Sequence, residues 1–231
     1  MSPHTHVADS RRHRRPLDQA IYFITFGLAT TTLAAASNAL VRRNHDVGYA
    51  TRVAAQRGVK LIVATNALTQ PGYALSCAAS GTLLNALTLF LISFKLPHFM
   101  RKLAWTLPVL ATFNFIFMLA TTIAVFYQAK TGHLTSYGTL NGIVLPQSVL
   151  KASAASVGLT DDFWGKDYVK FMAIMGIPTT VFAAITAFLA YGFWKREQAA
   201  MRAEHTSVPT YNNDSIAHVD EKGTTQHMER V

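Results

Sequence analysis

The sequence predicts an all-α integral membrane protein: a four-transmembrane-helix bundle in a tetraspan layout, with disordered termini. Three observations predict it. Of 231 residues, half are hydrophobic and only 14% are charged, against about 25% charged in an ordinary soluble domain. The charges crowd into five stretches and vanish between them, as loops and spans alternate in a polytopic chain. The uncharged stretches are each long enough, as helices, to cross a hydrocarbon core of about 30 Å.

Taken in order, residues 1–19 are a basic polar segment carrying Arg11, Arg12, Arg14 and Arg15. Residues 20–194 form the membrane domain. Its first span, 20–41, is uncharged and reaches about 33 Å as a helix. A basic connection, 42–71, follows. Tyr49, Val53, Leu61 and Ile62 keep a rough helical spacing broken by Gly58, which predicts a surface-lying helix leading into Pro71-Gly72. The second span covers 72–94, a short basic turn 95–102, and the third span 103–127. A polar connection then runs over 128–170. Within it, Thr160 before Asp161 and Asp162 reads as a helix N-cap with acids in the first turn, so the fourth helix is expected to start near residue 161. Its apolar span is 171–194, and residues 195–231 read as a disordered polar tail. Tyr22, Trp105, Tyr127, Tyr191 and Trp194 fall near span ends, where aromatic rings favour the headgroup region. Pro108 and Pro178 fall inside spans and predict kinks there.

A cleaved signal peptide competes with the first span, because small residues at 34–39 satisfy a small-x-small rule. The apolar run continues past that point to Val41 and stops at Arg42-Arg43, so an uncleaved span is the reading adopted. Near the span ends, ten Lys and Arg lie on the side of the termini and nine on the side of the longer connections. The positive-inside rule thus leans toward cytoplasmic termini, in a plasma membrane or an endomembrane.

Charge inside a span marks ion or proton pathways, and no span contains Asp, Glu, Lys, Arg or His. All nine histidines lie in connections or termini, and the single cysteine, Cys77, excludes an internal disulfide or a cysteine-cluster metal site. No nucleophile-elbow, zinc-peptidase or paired-acid motif is present. No catalytic residue, cofactor or metal is therefore expected. The net charge of +9 flanks apolar segments, which suits the anionic surface of a lipid bilayer and not nucleic acid.

Two residue sets remain. Cys77, Gly81 and Asn85 recur every four residues on the second span. With Asn114 on the third and Gly176 on the fourth, they are candidates for close helix packing and interhelical hydrogen bonds. Asp161, Asp162 and Asp167, beside Lys166 and Lys170, are candidates for a surface site, with capping and spaced ion pairs as the simpler account. The layout resembles the tetraspan plan of claudin-like and MARVEL-like proteins. A claudin-type first connection would carry a cysteine pair and a tryptophan motif, and 42–71 contains neither Cys nor Trp, so no family is assigned. The expected function is non-enzymatic: a scaffold or partner-binding component acting through its connections and tail on other membrane proteins or on itself. A transporter or channel subunit is the alternative, with the Thr and Asn faces lining a path. An integral membrane enzyme on a lipid-like substrate, using the three aspartates, is the second.

Overall fold

The computed structural model describes residues 16–64, 66–94, 104–133, 135–156 and 162–206. Of these, 83% are helical. The elements in order are α1 (Pro16–Gln56), β1 (Val59–Ala64), α2 (Asn66–Phe94), α3 (Thr106–Thr131), β2 (Thr135–Leu140), β3 (Ile143–Val144), α4 (Gln147–Ser156) and α5 (Asp167–Thr206). The helices α1, α2, α3 and α5 are each long and apolar enough to cross a membrane. The chain divides into two compact units, Met1–Trp194 and Lys195–Val231. The second unit is described only through the end of α5. The turn 95–102, Asp161 and the tail beyond residue 206 lie outside the described residues.

Within the first unit α1 packs against α2 and α2 against α3, while side-chain bonds tie α5 to α1 and to α3. One apolar cluster gathers Ala36, Leu75, Met118, Val125, Phe163 and Met172, with Trp164 and Tyr168 packed against it. A second, toward the other end, gathers Tyr22, Leu89, Ile92, Leu107 and Ala190. Tyr22 is thus a buried core residue, not an outward anchor. The outward faces of the helices carry large apolar side chains, among them Phe23, Leu84, Phe113, Ile123, Val181 and Phe188.

The fold is not all-α. The first connection is helical only in its first part, as a continuation of α1 and not as a separate surface helix. α1 continues fifteen residues past Val41 to Gln56, and Gly58 (φ 71°) follows. Val59-Lys60-Leu61-Ile62-Val63-Ala64 then forms β1, where β-branched residues suit a half-buried pleated surface. β1 pairs antiparallel with β2, Ile62 opposite Tyr137, and β2 pairs with β3. The two longer connections thus close into one three-stranded sheet, in the order β1-β2-β3.

Other boundaries move as well. α2 starts at Asn66, five residues before Pro71, which sits near the helix start and removes a single ladder bond. Pro108 is the third residue of α3, where its missing N–H has no intrahelical partner in any case. α5 runs through Pro178 and begins at Asp167, not near 161, so one turn precedes Phe171. It extends to Thr206, so the first part of the polar tail is helical. At the other terminus α1 already begins at Pro16.

Candidate functional site

Three places bring polar chemistry together: the seams between the helices, a clasp at the end of the bundle nearest the sheet, and the outer face of that sheet.

On the seam between α1 and α5, the Thr25 and Thr186 hydroxyls lie 2.9 Å apart and those of Thr32 and Thr179 lie 2.7 Å apart. All four residues are buried. Between α3 and α5, Thr122 Oγ1 lies 3.1 Å from Thr180 Oγ1 and donates to Gly176 O at 3.5 Å. A Cβ on Gly176 would stand 2.9 Å from Thr122, so the approach depends on glycine. Between α2 and α3, Asn114 Nδ2 donates to Gly81 O at 3.1 Å, and a Cβ on Gly81 would stand 2.7 Å from Asn114 Oδ1. Gln19 on α1 also donates to Ser93 on α2 at 3.2 Å.

The sequence-predicted packing set therefore divides. Gly81 and Asn114 meet each other, and Gly176 meets Thr122. Asn85 is buried at 4% exposure, but its Oδ1 has no hydrogen-bond partner among the described residues. Cys77 and Tyr73 lie on the exposed side. A spacing of four overshoots the helical turn of 3.6, so residues 73 to 85 drift about 120° around α2. Thr30 and Thr31 on α1 bond back to their own helix. Thr25, Thr179 and Thr186 escaped sequence reasoning. Their signal is a matched spacing of seven residues, 25 to 32 on α1 and 179 to 186 on α5, which returns to one helix face every two turns.

The clasp is centred on Asp46, in the extension of α1 beyond Val41. Its Oδ2 accepts from Lys166 Nζ at 2.8 Å and from Tyr168 Oη at 2.8 Å. Lys166 Nζ also lies 5.8 Å from the centre of the Tyr168 ring. Burial works to raise the Asp46 carboxyl, but the hydrogen bonds from Lys166 and Tyr168 and the charges of Lys166 and His45 hold it below the ordinary 3.8. Burial, followed by the bond to Asp46, pushes the Tyr168 hydroxyl well up, although Arg42 and Arg43 act in the opposite sense. Trp164 stacks edge-on against Phe126 beneath.

The aspartate set does not form one site. Asp162 Oδ1 accepts from the Trp164 N–H at 3.0 Å, and its backbone bridges His133. Asp167 is exposed and pairs with Lys170 at 3.6 Å. Asp161 lies outside the described residues. Among the described residues, no three His, Cys, Asp or Glu side chains are grouped so as to hold a metal ion.

On the sheet, the inner face is covered at Gly138, where a Cβ would meet Leu150 of α4 at 2.7 Å. The outer face presents Ile62 (60% exposed) directly opposite Tyr137 (55%), with Lys60 and Thr139 opposite each other in the row two residues along. Val144 pairs with Thr139 and is also exposed.

No protein-family model matches the chain, and neither a curated protein nor a solved structure matches it.

Proposed function

We propose that this chain is a multi-pass membrane protein whose four apolar helices cross the bilayer, and that it organises neighbouring membrane proteins or further copies of itself. It does so through its paired connections and its tail, without catalysis of its own. The lipid-facing part of the reading is supported by the apolar side chains exposed along all four long helices, a surface that soluble monomers rarely carry. The threonine and asparagine side chains of the seams bond mainly to one another and to backbone, which supports packing as their role and weighs against a polar path. Four crossings put both termini on one side, the cytoplasmic side in this reading. The two connections then share the other side, consistent with their pairing into one sheet.

The observation that carries the partner-binding reading is the uncovered outer face of that sheet. An aromatic and a branched aliphatic side chain stand side by side there, with polar residues around them, the anatomy of a small protein interface. The test is a photo-crosslinking amino acid placed at Tyr137 in native membranes. The expected result is a discrete adduct with a membrane protein, or a band at twice the 25.3 kDa chain mass, that disappears when Ile62 is changed to Lys. Absence of adducts from Tyr137, from Ile62 and from the tail would overturn the reading. Glycosylation-site insertion in 42–71 and in 128–170 checks the topology separately.

A further inference from the structure

The apolar run of α1 ends at Val41, and those of α2 and α5 begin at Gly72 and Phe171. Just inside these limits three helices converge: a Cβ on Gly72 would lie 3.6 Å from Leu40 Cδ2 and 3.9 Å from Met172 Sδ. One helical turn outward, Arg43 follows Leu40 on α1 and Tyr168 precedes Met172 on α5. Arg42, Arg43, Asp46, Lys166 and Tyr168 thus lie just outside the last apolar layer of the bundle. In a bilayer that is the depth of the headgroups.

The charges there do not balance. Asp46 is bonded to Lys166 and Tyr168 through one oxygen. Asp167 faces Lys170, and Asp162 accepts from a backbone N–H. No carboxylate among the described residues forms an ion pair with Arg42 or Arg43. Arg42 is exposed. Arg43 donates through Nη1 to Asn44 Oδ1 at 2.8 Å, and its Nε is buried with no acceptor among the described residues. With Nε enclosed, the fork that Arg43 can offer is its pair of Nη groups, and a planar guanidinium fork fits the oxygens of a phosphate. Exposed apolar side chains, Val41 on α1 and Phe171 on α5, lie on the membrane side of these cations.

We propose that Arg42 and Arg43 hold the phosphodiester of a phospholipid headgroup, Arg42 through its exposed guanidinium and Arg43 through its Nη groups, with the acyl chains descending beside Val41. The inference rests on the spanning reading above. A free phosphate offers the same oxygens, but it has no use for the apolar side chains on the membrane side, and the occupant is therefore a lipid.

The full chain is reconstituted in nanodiscs of phosphatidylcholine with phosphatidylglycerol, and the lipid retained after detergent exchange is measured by native mass spectrometry. Two cations near a membrane surface are lost in Arg42→Gln with Arg43→Gln, which lowers retention about thirtyfold. Arg43→Lys, which keeps the charge and removes the fork, lowers it several-fold. Lys60→Gln, on the sheet, leaves it unchanged. If the double variant does not fold, Arg42→Gln alone, at an exposed position, still predicts a clear loss. Retention unchanged in these arginine variants, equal loss in Lys60→Gln, or displacement of the lipid by millimolar inorganic phosphate would each overturn the site. Release of the wild-type chain from membranes by alkaline carbonate would overturn the spanning reading and the site with it, so the two failures are distinguishable.

Discussion

Gly176→Ala perturbs the close contact between α3 and α5. The new Cβ would lie 2.9 Å from both Cγ2 and Oγ1 of Thr122 and 3.4 Å from its Cβ. Thr122 has little freedom to turn aside, because its hydroxyl is engaged with Thr180 and with Gly176 O and its χ1 is restricted in a helix. The two helices must separate instead. Overpacking of this kind costs about 1–3 kcal/mol. Losing the interhelical hydrogen bond adds about 0.6 kcal/mol. Removing a glycine from a helix interior returns about 0.5–1 kcal/mol. The balance is a destabilisation of about 2 kcal/mol from these same terms. Thr122→Ala empties the space that the methyl needs, so the double variant recovers at least half of the loss. The assay is a double-mutant cycle on reversible unfolding in mixed detergent micelles. A Gly176→Ala protein as stable as wild type, or an equal loss in the Thr122→Ala background, would refute the contact.

Three further outcomes follow from the same structure. Asn85→Leu removes a buried carboxamide oxygen that has no partner among the described residues at little change in volume. It should stabilise the solubilised chain by about 1–3 kcal/mol; a lower melting temperature would show that the carboxamide is bonded. Gly142→Val forces a β-branched residue to φ 84° at a cost of about 1–3 kcal/mol. Hydrogen exchange should rise across 135–144 while the helices stay protected. Asp46→Asn weakens two bonds to one carboxylate oxygen and should cost about 1–3 kcal/mol at neutral pH. Because the folded carboxyl titrates below its ordinary 3.8, this contribution is fully present above that pH. It is lost as the pH falls through the lowered folded value, so wild type and variant should converge in acid.

What the sequence made legible was what depends on local composition and length. The four long apolar helices follow from uninterrupted runs without charge, and the contacts of Gly81 with Asn114 and of Gly176 with Thr122 involve residues that stand out in such runs. The sheet was harder to see because β1 is a six-residue strand whose apolar content also fits a surface helix. One decisive signal was present and unread. Asn141-Gly142 follows the run Thr135–Leu140, and both residues adopt positive φ, 52° and 84°, as a two-residue type I′ hairpin requires. The partner of that hairpin, β1, lies some 75 residues upstream, and no local pattern announces such a pairing. The threonine pairs between α1 and α5 were likewise hidden, because each depends on two helices far apart in the sequence. Asp46 is one charge among several in a basic connection, and its role exists only once Lys166 and Tyr168 are brought to it at the start of α5.

That last point bears on one departure from expectation, the unbroken continuation of α1 through residues 42–56. Thr25–Thr186, Thr32–Thr179, the approach of Leu40 and Met172 over Gly72, and Asp46–Lys166 follow one antiparallel register. They form a single seam between α1 and α5. From residue 25 to residue 46 it runs about 32 Å at helical rise. Beyond Val41 the inward side of α1 carries only the small, partly buried Val47, Ala50, Val53 and Ala54, and isolated helices of this length are marginal in water. The clasp is the last tie on the seam and the one nearest that extension. Asp46→Asn combined with Lys166→Met should therefore fray α1 from about residue 44 onward, and hydrogen–deuterium exchange of 47–56 should accelerate at least tenfold for a loss of about 1.4 kcal/mol or more. Exchange at 25–40 should stay slow, because the threonine pairs are untouched. Unchanged protection at 47–56 in this double variant would mean that the extension is held by something other than the clasp.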